Sequence, residues 1–174
     1  MTPNNFTETE SIKNQKTQLT IEKFTHIQNA YFTYHKPLQE ILESTKYELG
    51  TFLYNFKYQK FSNPKNKKEQ QIIRTTLSEI YDNFNTKFSE FRNNQFFMEI
   101  PEDLFRFYRE ILDITNDSIN DSDNETFNAS TTKKNITKLH EMAIALTEKN
   151  QTQIDKIRND MPKLHETILN FNIF

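Results

Sequence analysis

Four histidines (His26, His35, His140 and His165) and 24 aspartates and glutamates are the side chains able to ligate a metal or move a proton. Their spacing supports neither role. A zinc helix of the His-Glu-x-x-His type needs its histidines four residues apart, where they share one helix face. His140 is followed by Glu141, but position 144 is Ile144. Carboxylate-bridged di-iron bundles use Glu-x-x-His pairs; the residues three before the histidines are Lys23, Phe32, Thr137 and Pro162. Asp121-Ser-Asp123-Asn-Glu125 alternates like the start of a calcium loop. Thr126 stands where that loop needs glycine, and Thr132 where it needs a bidentate glutamate. Cysteine is absent, which removes disulfides, thiol catalysis and thiolate metal sites. The expectation is a non-enzyme with no cofactor and no metal.

Charge supplies the other candidates. Lys57, Lys60, Lys65, Lys67, Lys68 and Arg74 stand against the single acid Glu69, with Tyr54, Phe56, Tyr58 and Phe61 interleaved. Basic side chains hold phosphates and aromatic rings stack bases, so this corner is the candidate contact for an anion or nucleic acid. The chain's net charge of -2 is unlike a nucleic-acid module, and a solvated helix corner is the plainer expectation. From Glu99 to Glu125, nine acids face only Arg106 and Arg109. Such an acidic segment attracts a basic partner or aligns two copies, or is simply kept soluble by its charge. Seven Asn-x-Ser/Thr sequons, four of them between Asn116 and Asn128, follow from the abundance of Asn, Ser and Thr.

The elements that carry these residues read as helices. Phe24, Ile27, Tyr31, Tyr34, Leu38 and Ile41 recur at alternating steps of three and four, the signature of one helix face. The first helix is therefore expected from about Thr7, where Thr7 and Glu10 have capping-box spacing, to about Lys60. Pro37 lies inside the stripe without shifting its phase, which predicts a kink in a near-continuous helix. A second helix, from about Lys65 to Asn93, carries Ile73, Leu77, Ile80, Phe84, Phe88 and Phe91. A third follows Pro101, with Leu104, Phe105, Tyr108 and Ile111. Residues 116–132 read as a polar linker. The last helix is expected from Lys133 to Asn172, with a further kink at Pro162. Its stripe, Ile136, Leu139, Ala143, Leu146, Asn150, Ile154, Ile157, Met161 and Leu164, contains one extra four-residue step at Asn150. Ile136, Leu139, Leu146, Asn150, Ile157 and Leu164 form the candidate oligomer seam, because an asparagine in an apolar seam selects register or partner number; a frayed, solvent-facing stretch around Asn150 is the plainer expectation.

Composition agrees with an all-α chain. There is one glycine, no valine and no tryptophan, against 16 phenylalanines and seven tyrosines in 174 residues. Phosphate-cradling loops need several glycines, and β-branched residues favour strands. No run of about 18 apolar residues exists to span a membrane, and Met1–Gln15 lacks an apolar h-region, so a cytoplasmic protein without membrane contact is expected. The fold expected is one domain, an elongated antiparallel bundle with long kinked first and last helices and coiled-coil-like packing. Residues 1–6 would be disordered, 7–36 a helical arm, and 37–115 a Phe-rich core built from the later part of the first helix with the second and third; the arm and the last helix, similar in length, would pair with each other or with a second copy as a longer coiled-coil section. The long stripes exceed what one small bundle buries. The leading functional expectation is a helical interaction or scaffold protein, most simply a homodimer or one member of a stable complex. A nucleic-acid-associated accessory factor, and an immunity, antitoxin or defence accessory that masks a basic partner, are the alternatives.

Overall fold

The computed structural model describes residues 3–57, 67–95, 99–122 and 128–172, and among them there is no strand. α1 (Pro3–Ala30) passes through a π-helical turn at Tyr31–His35 directly into α2 (Lys36–Lys57). α3 (Lys67–Asn93), α4 (Glu102–Ser122) and α5 (Ala129–Asn172) complete the chain. The protein is an all-α helical bundle.

From α2 onward, successive helices run antiparallel. Asn83 and Lys87 of α3 reach Glu48 and Ser44 of α2 in reversed order. Asp103 and Glu110 of α4 pair with Lys149 and Lys138 of α5, again reversed. α5 then lies along α2, with His140 beside Gly50 and Asn150 beside His35. α2 and α5 make the most extensive helix–helix interface of the molecule. The interior is a ladder of rings. Phe84 stacks on Phe88 with centroids 5.4 Å apart, Phe88 stacks on Tyr108 at 4.8 Å, and Phe107 meets Phe84 edge-on. Offset and edge-on contacts are the favourable geometries for ring quadrupoles. Phe52, Phe84 and Phe88 are fully buried, as the three-four spacing requires; on α4 it is Phe107, three after Leu104 and four before Ile111, that is fully buried, while Phe105, expected on that stripe, is half-buried.

α1 does not join this four-helix section. It packs on the C-terminal half of α5, with Phe24 against His165, so the two helices project together beyond the α3–α4 connection as a two-stranded arm. The 28 residues of α1 span about 42 Å at 1.5 Å per residue.

Several boundaries differ from expectation, each for a local reason. The core contains four helices instead of three, because the first half of α5 fills the place beside α2 and α4. Helix begins at Pro3, so residues 3–6 are helical and Thr7 lies within a helix instead of capping it. The polar stretch 116–132 is helical at both ends, and Ser118 and Thr132 are buried there. α5 opens at Ala129 because Asn128 caps it: the Thr131 amide donates to Asn128 Oδ1 at 3.2 Å. What is left of that linker, 123–127, lies outside the described residues, as do 58–66 and 96–98.

Pro37 is accommodated, as expected, within a continuous helix. Proline has no N–H and crowds the carbonyl four residues earlier, here that of Thr33. The π-helical turn immediately before it widens the backbone, with the Lys36 amide donating to the Tyr31 carbonyl. Gln95 Nε2, just past the end of α3, supplies the donor that Thr33 lacks, at 2.7 Å from its carbonyl oxygen.

Candidate functional site

The basic corner is only partly in view. Lys60, Lys65 and the Lys57 side chain lie outside the described residues; Lys67, Lys68 and Arg74 are exposed on the first turns of α3. The acids expected to seek a partner are largely on α4, and the chain itself engages three of them. Asp103 meets Lys149 at 2.5 Å, Glu110 meets Lys138 at 3.0 Å, and Glu102 meets Arg109 at 2.9 Å. Lys149 holds the Asp103 carboxyl below the usual aspartate range. Among the described residues no group of three histidines and carboxylates could hold a metal ion.

The residues named as an oligomer seam divide into two sets. Ile136 and Leu139 are wholly buried and Leu146 partly buried in the chain's own core, so this half of the stripe faces α2 and α4. Ile157 and Leu164 are half-buried on the half of α5 that packs with α1. Asn150 marks the boundary. It is 6% exposed, and its amide is fully used. Nδ2 donates to the His35 carbonyl and to Gln39 Oε1, both at 2.9 Å, and Oδ1 lies 2.8 Å from His35 Nδ1. A buried amide is costly without partners, so these bonds fix α5 against α2 at one register, just where the π-helical turn begins the arm. Tyr34, one residue away, is buried against Phe91, and burial together with the charge of Asp103 pushes its hydroxyl up to about 12.

Sequence reasoning passed over a groove between α2 and α5. Glu43, Lys46, Tyr47, Gly50, Thr51, Tyr54, His140 and Ile144 line it. Gly50 is the single glycine of the chain and sits mid-helix, a position that costs roughly 1 kcal/mol relative to alanine. Its reason is steric: a Cβ there would stand 3.2 Å from His140 Nε2. Burial and, secondarily, the Lys46 charge hold the His140 imidazole below its ordinary value, against a smaller opposing pull from Glu141. The groove is open, and on its rim Lys46 and Glu43 pair with each other at 2.8 Å. An isolated glycine amid a helical stripe was the signal that could have found it.

The arm is the other distinctive surface. In the four-helix section most stripe residues are buried, whereas Thr17, Ile21, Phe24 and Ile27 on α1, and Tyr31 at the start of the π-helical turn, are only half-buried. Two helices cannot enclose their own seam. Ile12 and Leu19 are 53% and 64% exposed on the same helix.

Comparison with protein families, with curated proteins and with solved structures found no match to this chain.

Proposed function

We propose that this protein is a non-enzymatic helical interaction protein, whose four-helix section is a scaffold and whose α1–α5 arm is its binding element. One observation supports the reading above others: the seam that is enclosed in the bundle continues onto the arm and is left half-open there. Apolar stripe with only one neighbouring helix is stabilised further when another chain covers it.

The reading predicts association through the arm. Sedimentation equilibrium of the full chain, either alone or as the complex in which it is isolated from its source, should give a mass above the 20.9 kDa of one chain in at least one of the two. The double variant Ile12→Lys/Leu19→Lys should return it to one chain with its helicity unchanged. A single-chain mass in both preparations, or association indifferent to both substitutions, contradicts the proposal. The exposed Lys67, Lys68 and Arg74 give a nucleic-acid reading no comparable support, because nothing in their arrangement selects phosphate over water.

A further inference from the structure

The arm carries a row of lysines that continues a pattern already used inside the bundle. On α5, Lys138 and Lys149 each hold a carboxylate of α4, Glu110 and Asp103 respectively. Lys156 and Lys163 follow Lys149 at steps of seven, which keeps all four on one stripe of the helix. α4 begins only at Glu102, so the row outruns the helix that reads it. Lys156 and Lys163 lie about 10 Å and 20 Å beyond Lys149 along α5, and both are exposed.

The neighbouring helix completes the same surface. Phe24 against His165 and Gln39 against Gln151 define one edge of the α1/α2–α5 pair. The other edge, which α3 and α4 cover in the bundle, carries Ile12, Lys16, Leu19 and Lys23 on α1 at helical spacing. Among the described residues, Lys16, Lys23, Lys156 and Lys163 have no ion-pair or hydrogen-bond partner for their ammonium groups. This ledge therefore combines four cations, opposed by the half-buried Asp160, with two exposed aliphatic side chains.

We propose that the ledge receives an acidic amphipathic helix of a partner protein, lying in line with α4 and antiparallel to α5. The proposal rests on the reading of the arm as the binding element and names what binds it. Two arguments choose this occupant. The chain's own solution for the same face of α5 is an acidic helix whose carboxylates meet the same lysine row. A second copy of the ledge laid on this one would set lysine against lysine, which disfavours self-pairing.

The test uses the full-length protein and a fluorescein-labelled peptide of residues 101–117, the acidic helix that the row already recognises, with a second peptide whose Asp and Glu are replaced by Asn and Gln. At low salt the acidic peptide should bind, and the amide peptide should bind roughly tenfold or more weakly, as fits charge-assisted pairing. Lys156→Glu/Lys163→Glu should weaken the acidic peptide by a similar factor, and Leu19→Ser by a few-fold, with circular dichroism unchanged. The milder pair Lys156→Ala/Lys163→Ala, which disturbs the helix less, should weaken it in the same direction. Equal binding of the two peptides, or binding untouched by either lysine pair, overturns the proposal. So does displacement of the peptide by a single-stranded oligonucleotide or by anionic phospholipid vesicles at lower concentration than by unlabelled peptide. If the peptide does not bind while sedimentation gives a dimer sensitive to Leu19→Lys, a second copy covers the ledge: the acidic-helix assignment falls and the arm remains the binding element. Loss of both results removes both readings.

Discussion

Asn150 is the residue on which the join between bundle and arm turns. Its amide meets His35 and Gln39 through three contacts in a buried setting. Asn150→Ala leaves the Gln39 amide oxygen and the His35 groups without partners, so we expect a loss of about 2 kcal/mol in denaturant unfolding; a loss below about 0.5 kcal/mol, the size of an ordinary surface substitution, contradicts the account. The position was legible in the sequence as a break in an apolar stripe, but the partner was not. Stripe spacing alone cannot tell whether a polar seam residue faces another chain or, as here, a carbonyl and two side chains of its own. His140 makes a prediction of opposite character. Its pKa lies below the ordinary 6.5, so the folded chain refuses a proton that the unfolded chain accepts. Stability should therefore fall as pH drops from about 6.5 through the lower folded value, and level off below it. The melting temperatures of wild type and His140→Gln should run parallel above pH 7, and wild type should lose more between pH 7 and 5. Equal losses would mean that the imidazole is solvated like a free one.

Among the elements, the passage from α1 to α2 shows how a helix carries a proline without ending. The Thr33 carbonyl loses its helical donor to Pro37 and takes Gln95 Nε2 instead. Gln95→Ala should cost roughly 0.5–1 kcal/mol, the usual net worth of such a bond. In a Pro37→Ala background, where a backbone N–H is restored, the same substitution should cost close to nothing. A double-mutant cycle measures this directly, and additive effects would show that the two residues are uncoupled. The unbroken phase of Tyr34, Leu38 and Ile41 already pointed to a continuous helix, since a broken one would lose its stripe. The π-helical turn was not legible, because it depends on where Gln95 stands after α3 folds. The N-terminus of α5 was misjudged for a simpler reason. In a stretch with an asparagine every four residues, several positions are equally good caps, and only packing, with Thr132 buried, selects Asn128.

For the whole molecule, the proposed binding role rests on the distinction between an enclosed bundle and an open arm. Helical class and the Phe-rich core were legible because amphipathic spacing reports one buried face. Which stripes would find each other was legible only as a choice, the arm with the last helix or with a second copy, since α1 and the later part of α5 carry the same periodicity as the bundle helices and differ only in having no third and fourth neighbours. No described helix is long and apolar enough to cross a membrane. Amide hydrogen exchange on the single chain at low concentration tests the claim most directly, because exchange reports the free energy of local opening. The account predicts that amides of residues 17–30 and 157–167 exchange at least about 100-fold faster than those of residues 77–91 and 104–115, a gap of roughly 3 kcal/mol. Protection of the arm equal to that of the bundle would contradict it, since an arm so stable alone has no need of another chain.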